Sequence, residues 1–254
     1  MKYLDLTLPT PAENLACDEA LLDAAEAGAG GETLRFWESR EHFVVVGYAN
    51  RVAKEVNVAT CKARGVPILR RCSGGGTVLQ GSGCLNYALI LRITDDGPFR
   101  SVSATNRFIM DRNRAAIDKV GRVTPCPPPD GGQRTARPTI AVCGHTDLAI
   151  GGLKFSGNSQ RRRKHFLLFH GSFLLRLDSA LVEALLLMPS KQPDYRRNRG
   201  HSDFLVNLNV PADDVKAALR QTWKAVTVTK EFPAEKTHEL AADKYSTNAW
   251  NLKF

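Results

Sequence analysis

Hydrophobic and polar positions along the chain change repeatedly between helical and strand-like spacing. Thr10 and Glu13 have the spacing of a capping box, and Pro11 between them suits the first position of a helix. Apolar residues at helical spacing follow, and a glycine-rich stretch at 28–31 ends that pattern. The same criteria predict further helices over residues 54–64, 101–120, 178–187, 211–226 and 233–244.

Apolar or alternating runs between these helices predict strands. They cover residues 33–37, 42–48, 66–69, 85–91, 147–150, 154–156 and 166–177. The segment 125–138 is rich in proline and glycine, which predicts a loop. Because strands and helices interleave without a regular βαβ rhythm, the order predicts an α+β fold built on a mixed sheet.

The composition is that of a globular protein. The 254 residues are 43% hydrophobic, enough for a packed core. No apolar run is long enough to cross a bilayer, and the first six residues lack the apolar region of a secretory signal. We therefore expect no membrane partner and a cytoplasmic protein.

The formal net charge of +9 predicts acidic partners. Aromatic residues make up only 7% of the chain, and no nucleic-acid-binding module is recognisable. An acidic protein or an anionic substrate is therefore favoured over nucleic acid.

The cysteines are irregularly spaced and contain no C-x-x-C pair, so neither a zinc site nor a disulfide framework is expected. We interpret most of them as buried apolar residues, with Cys143 as a candidate reactive thiol. The six are Cys17, Cys61, Cys72, Cys84, Cys126 and Cys143.

A glycine-rich segment follows the strand predicted at 66–69. It has the sequence Arg70-Arg71-Cys72-Ser73-Gly74-Gly75-Gly76-Thr77-Val78. Glycine allows positive φ and close approach of the main chain to a ligand, and successive free amides form an anion-binding nest. The spacing fits neither a P-loop nor a dinucleotide fingerprint. The segment predicts a loop that binds a small acidic ligand.

A second block of candidate residues spans 143–158. Lys154 follows a Gly151-Gly152 turn within an apolar run; such a lysine more often reaches solvent, but its neighbours favour a cleft. Downstream, His170 lies in an apolar strand beside Gly171, which opens space for a ligand. We interpret most of the basic run at 161–164 as a solvated surface turn.

Together these blocks resemble the lipoate–protein ligase family, within the biotin and lipoate ligase superfamily. The matching segments are residues 14–21, 70–76, 83–87, 147–148, 154–160, 170–174 and 244–251. The resemblance implies the mixed-sheet α+β domain of the biotin/lipoate ligase type, covering 1–254 without a C-terminal accessory domain. A separate small subunit, or this domain itself, would then supply the accessory role.

The resemblance implies a reaction with ATP, Mg²⁺ and lipoate. Lipoate is activated to lipoyl-AMP and transferred to a lysine of an acidic lipoyl-domain acceptor, such as an E2 subunit, the glycine cleavage H protein or a related carrier. Lys154 would be the catalytic cation, and Asp147 a candidate magnesium ligand. The residues implied to bind lipoyl-AMP are Arg71, Ser73, Gly74, Gly75, Gly76, Thr77, Asn86, Asp147, Gly157, His170 and Gly171.

Several positions depart from the family pattern. Gln80-Gly81 replaces a common aspartate, Cys84 replaces an asparagine, and residues 144–146 replace Gly-Arg-Asn. The alternative is an octanoyl or lipoyl transferase of the same superfamily, which forms a thioester on Cys143 without ATP. The lead from Gly144 into Lys154 is more like that of the ligases, so the ligase is the first prediction. A biotin ligase ranks third.

A different class is a binding protein that keeps the fold without catalysis. Retention of Arg71, Gly75 and Lys154 argues against it.

Overall fold

A computed structural model describes residues 1–120 and 139–254; the predicted loop at 125–138 and Cys126 lie outside these residues. The strands are β1 (Lys2–Asp5), β2 (Thr33–Trp37), β3 (Phe43–Val46), β4 (Ile68–Arg70), β5 (Val78–Gln80), β6 (Cys84–Arg92), β7 (Ile140–Cys143), β8 (Asp147–Ile150), β9 (Leu153–Arg162), β10 (Phe166–Leu174) and β11 (Thr227–Val228). The helices are α1 (Pro11–Glu26), α2 (Val52–Glu55), α3 (Val58–Ala63), α4 (Val102–Lys119), α5 (Ser179–Leu185), α6 (His201–Phe204), α7 (Ala212–Thr222), α8 (Ala234–Leu240) and α9 (Asn248–Asn251). A 3₁₀ turn covers Asp194–Arg196, and a π-helical turn covers Ala241–Tyr245.

The strands form two sheets. The larger has the order β11-β1-β2-β6-β10-β9-β8-β7, and the smaller has the order β4-β3-β5. In the larger sheet β1 is parallel to β2 and β11, whereas β6 to β10 pair antiparallel. The predicted α+β fold with a mixed sheet is confirmed.

Different elements cover the two faces of the larger sheet. Side chains of α4 and α7, including Ile109 and Leu219, pack with sheet residues such as Phe169 in the largest apolar cluster. On the other face, Leu22 of α1 packs against Leu168. Apolar residues of the smaller sheet complete the core on this second side.

Helix α1 starts where its capping signals predict. Thr10 accepts from the amide of Glu13, and the Glu13 carboxylate accepts from the amide of Thr10. The helix is buried over most of its length, which takes the polar side chains of Asn14 and Asp18 into the interior. Buried polar groups of this kind need partners, and Asp18 finds its partners at the candidate site.

Two local predictions are wrong. The helix predicted at 54–64 is two short helices, α2 and α3, because extended backbone at Val56 separates them. The surface turn predicted at 161–164 covers only residues 163–164: β9 continues to Arg162, whose guanidinium donates to Thr105 and to the carbonyl of Phe99. Within the described ranges, no helix is long and apolar enough to cross a membrane.

Candidate active site

A cavity of about 640 Å³ lies between the two sheets, beside α1. Part of its wall comes from residues 187–196. The helix predicted at 178–187 ends at the first of these residues, and no helix or strand was predicted for the others. The predicted site residues that line the cavity are Arg71, Gly75, Gly76, Thr77, Asn86, Asp147, Lys154, Gly157, His170 and Gly171. The loop from Ser73 to Gly74 lies directly beside it.

The strand register collects many of these residues into a row across the larger sheet. Residues opposite one another on antiparallel strands point to the same face. The row consists of Trp37, Asn86, Ser172, Gly157, Asp147 and Cys143, on β2, β6, β10, β9, β8 and β7 in turn. It runs from the middle of the sheet to its edge strand, β7. We call it the first row.

A second row lies two residues further along the same strands. It consists of Arg35, Ala88, His170 and Ser159. Residues two apart on a strand share a face, about 7 Å apart. His170 and Ser159 therefore face the same side as the first row.

A β-bulge places the Lys154 amine at the site. Pairing is regular from Asp147 opposite Gly157 to Leu148 opposite Ser156, and then Ala149 lies opposite Lys154, so that Phe155 is the extra residue. Without the bulge, regular pairing would put Lys154 opposite Ile150 on the other face of the sheet, because side chains alternate along a strand. With it, the Lys154 amine lies 2.8 Å from Asp147 Oδ1.

Gly157 leaves the space that the amine occupies. A Cβ atom at residue 157 would lie 2.8 Å from Lys154 Nζ. Asp147 also accepts from the Tyr195 hydroxyl, at 2.8 Å through Oδ2. Burial and the Asp147 carboxylate raise the pKa of Tyr195, so this hydroxyl is a donor at neutral pH.

The predicted magnesium role of Asp147 finds no support in this geometry. Each of its oxygens already has a partner, one on Lys154 and the other on Tyr195. Within the described ranges, no group of three or more histidine, cysteine or acidic residues could hold a metal ion. Asp147 orients the lysine, and its magnesium role stays a prediction.

The glycine-rich loop is held from inside by a buried arginine. The Arg71 guanidinium donates to the carbonyls of Gly74 and Gly76, at 2.6 to 3.0 Å. Burial lowers the pKa of Arg71 to about 10. Gly75 has φ of +86°, and a Cβ there would lie 2.9 Å from the same guanidinium. Arg71 was predicted to hold an acyl-adenylate, but the carbonyls of its own loop occupy these donors.

Several polar atoms at the cavity lack partners in the described part of the chain. They include the side-chain nitrogen and oxygen of Asn86, Trp37 Nε1 and Gln80 Oε1. Asn86 is 1% exposed, and buried polar atoms are normally hydrogen-bonded. The amides of Gly75 and Gly76 also have no hydrogen-bond partner among the residues that the structure describes. A ligand with polar groups would satisfy both sets.

The glycine at 171 has a structural explanation. A side chain there would overlap the Asn158 carboxamide, which accepts from the Tyr87 hydroxyl and donates to the carbonyl of Thr146. Tyr87 in turn accepts from Asn113 of α4. These contacts connect β9 to β6 within the sheet and, through Tyr87, to α4.

Cys143 differs from the other described cysteines. Cys17, Cys61, Cys72 and Cys84 are buried, whereas Cys143 is partly exposed at the end of β7. The next residue, Gly144, lines the cavity, although Cys143 itself does not. Burial and the Asp147 carboxylate raise the pKa of the Cys143 thiol.

Alkylation should report this effect of Asp147. We expect the Asp147→Asn variant to shift the pH midpoint of Cys143 alkylation by iodoacetamide to lower pH, because a negative charge that disfavours the thiolate is lost. Peptide mass spectrometry at a series of pH values measures the rate. Asp194→Asn, which removes a neighbouring exposed carboxylate, is the matched control and should leave the midpoint unchanged. An unchanged or higher midpoint in Asp147→Asn would contradict the assignment.

Sequence reasoning did not assign site roles to Asp18, Trp37, Gly47, Ser159 and Tyr195. The carboxylate of Asp18 within an otherwise apolar helical pattern was a usable signal, because it implies a buried partner. The others carried no local signal. Gly47, for example, matters because a side chain there would overlap the carbonyl oxygen of Gly75.

Comparisons with known proteins agree with this fold and site. The profile of the lipoyl protein ligase A/B catalytic domain matches residues 10–224. Octanoyltransferase LipM of Geobacillus kaustophilus is 29% identical over 99% of this chain and 98% of its own, and that of Kyrpidia tusciae is 30% identical over 94% of each. The T. acidophilum protein Ta0514, assigned as a lipoate protein ligase and solved with bound lipoic acid, is 25% identical with a TM-score of 0.74, covering 99% of this chain and 98% of its own.

The fold and the cavity therefore define an enzyme of the lipoate ligase and octanoyltransferase class. The chain belongs to the lipoyl protein ligase A/B catalytic domain family.

The prediction of an ATP-dependent lipoate–protein ligase is wrong. The curated relatives that match nearly the whole chain are octanoyltransferases, which supports the transferase alternative instead. The physical reason for the error lies in the shared site: a glycine-rich loop and a lysine suit either an acyl-adenylate or an acyl thioester, because both carry an activated carbonyl. The residues around Lys154 could not separate the two.

Proposed function

We propose that the protein is an octanoyltransferase that takes an octanoyl group from a carrier thioester onto Cys143 and passes it to a lysine of a lipoyl-domain protein. The observation that carries this proposal is the position of Cys143. Among the described cysteines, Cys143 is partly exposed and the other four are buried. It lies in the first row, opposite Asp147. Residues 1–254 would act as one catalytic domain.

The cavity suits an eight-carbon chain. Its wall includes apolar side chains from α1, both sheets and α5, among them Leu15, Val45, Leu79, Leu177, Val182 and Leu186. Each methylene buried among them contributes about 0.8 kcal/mol. The apolar wall would hold the chain while the carbonyl lies near Lys154.

The first half of the reaction moves the acyl group onto the enzyme. Cys143 Sγ attacks the thioester carbonyl, the bond from that carbon to the carrier sulfur breaks, and the carrier thiolate takes up the proton that Cys143 gives up. Negative charge develops on the carbonyl oxygen in the transition state. The ammonium of Lys154 and the amides of Gly75 and Gly76, which have no partner among the described residues, are the groups that would stabilise it.

The second half forms the amide. The neutral amine of the acceptor lysine attacks the Cys143 thioester, the carbon–sulfur bond breaks, and the thiol is restored. The thioester supplies the free energy of amide formation, so this reaction uses no ATP. Lipoyl-domain acceptors are generally acidic around the target lysine, and the net charge of +9 would favour their encounter with the enzyme.

Mass spectrometry tests the proposal. The enzyme is incubated with octanoyl acyl carrier protein without ATP, and we expect an octanoyl adduct that maps to Cys143 and disappears when the acceptor domain is added. Cys143→Ala should form no adduct, whereas Cys126→Ala, the matched control outside the described residues, should form it normally. No adduct on the wild type, an adduct at another residue, or transfer that requires ATP would overturn the proposal.

A further inference from the structure

A chain of hydrogen bonds joins polar side chains along the cavity wall and ends on a buried arginine. Ser159 Oγ donates to Ser73 Oγ at 2.6 Å, and Ser73 Oγ lies 2.6 Å from His170 Nε2. His170 Nδ1 lies 3.3 Å from Asp18 Oδ2, and the other oxygen of Asp18 pairs with Arg35 at 2.5 Å. We call these four side chains, Ser159, Ser73, His170 and Asp18, the relay.

The members of the relay differ in exposure. Ser159 is partly exposed, whereas Ser73 and Asp18 are each 1% exposed and His170 is 8% exposed; Ser159, His170 and Asp18 line the cavity. Arg35, at the inner end, is fully buried and also donates to Asn14. The relay therefore connects a hydroxyl at the cavity wall to a buried ion pair.

The hydrogen bonds of the relay are all donated in the same direction, from Ser159 towards Asp18. Because Ser73 Oγ accepts from Ser159, its own proton is free to point at His170 Nε2, which then acts as the acceptor. The remaining ring proton is then on Nδ1, directed at the Asp18 carboxylate. Hydroxyl, imidazole and carboxylate in this order are the arrangement that lets histidine take up a proton during acyl transfer.

Burial alone does not account for this arrangement. A buried serine and histidine need hydrogen-bond partners, and their mutual contact would satisfy that need. It gives no reason for the chain to begin on a hydroxyl at the ligand cavity. Ser73 is poorly placed to attack a substrate itself, because it is 1% exposed. The hydroxyl that faces a ligand is that of Ser159.

Ser159 is also placed next to the Lys154 amine. That amine lies over Gly157, and Ser159 is two residues further along β9 on the same face, about 7 Å away. His170 lies opposite Ser159 on β10. The ammonium and the relay hydroxyl therefore approach the reaction centre from neighbouring positions.

We propose that the relay accepts the proton that the acceptor amine loses as the amide forms, with Ser159 as the group that touches the amine. This inference rests on the proposed octanoyl transfer. As the carbon–nitrogen bond forms, the amine proton moves to Ser159 Oγ, the Ser159 proton to Ser73 Oγ, and the Ser73 proton to His170 Nε2. The negative charge of Asp18 stabilises the imidazolium. As the carbon–sulfur bond breaks, the Cys143 thiolate takes up a proton from water, and the relay later returns its own proton to water by the same path in reverse.

The two halves of the reaction separate this proposal from a structural role. We expect Ser159→Ala to form the octanoyl-enzyme at the wild-type rate and to pass the group to the acceptor domain about 10²-fold more slowly, because a positioned general base contributes at least this factor. Rapid-quench single-turnover kinetics measure each half. Ser39→Ala, which removes a buried serine hydroxyl that bonds to Glu41 within its own turn, is the matched control and should keep wild-type rates in both halves.

Solvent isotope effects give a second readout. A plot of the wild-type rate of amide formation against the fraction of D₂O in the solvent should be curved, because several protons move together. The same plot for Ser159→Ala should be a straight line. Wild-type amide-forming rates and an unchanged curve in Ser159→Ala would overturn the relay alone. Absence of an octanoyl-enzyme in the wild type would overturn the proposed function, and the relay with it.

Discussion

The Lys154→Met variant is expected to lose about 10³-fold in the rate of octanoyl transfer. Methionine keeps the length and apolar stem of the side chain but removes the ammonium that lies 2.8 Å from Asp147. The transition-state oxyanion would then face an Asp147 carboxylate held by Tyr195 alone. Steady-state transfer to a lipoyl domain, with carrier and acceptor varied in turn, measures the effect, and we expect it mainly in kcat.

Lys230→Met is the matched control for this loss. Lys230 is exposed and does not line the cavity, and its replacement changes the net charge by the same amount. The control should keep wild-type kcat. If the two variants lose activity equally, the loss reflects docking of acidic partners rather than chemistry at the cavity, and the role of Lys154 is contradicted.

The second large effect is expected for Gly47→Ala. A methyl group there overlaps the carbonyl oxygen of Gly75, which is main chain and is held by Asn50. The glycine-rich loop must move to make room. We expect a loss of stability of about 1–3 kcal/mol from overpacking. We also expect a fall in transfer rate on the order of 10²-fold, because a shift of about 1 Å at a catalytic group costs this much.

Gly74→Ala is the control within the same loop. No atom lies within 4 Å of a Cβ at residue 74, and its φ is not in the left-handed region. It should keep both the wild-type midpoint of denaturant unfolding and the wild-type transfer rate. Equal effects of the two substitutions would contradict the view that Gly47, outside the obvious motif, fixes the loop.

Local signals predicted much of the fold. The start of α1 depends on Thr10, Pro11 and Glu13, which lie within four residues of each other, and β2 and β8 follow from short runs whose composition suffices. The basic run at 161–164 misled the prediction, because its arginines have partners far away in sequence. Arg163, for instance, pairs with Asp23 of α1.

The site was predicted only in part, for a similar reason. The glycine-rich loop and Lys154 are contiguous motifs that sequence reasoning can find. The relay joins Asp18 to His170 across 152 positions, and no spacing within the sequence connects them. Similarity to known octanoyltransferases, rather than any motif, likewise favours the transferase over the ligase, because the reactive groups suit either chemistry.

The bulge at Phe155 makes the chemistry of this hairpin depend on residue parity. The reactive amine reaches the correct layer only because one unpaired position sits between Lys154 and Ser156. If Phe155 joined the regular pairing instead, the architecture would be preserved while Lys154 moved opposite Ile150 and its amine turned towards the opposite layer, which would leave a well-folded but inert descendant.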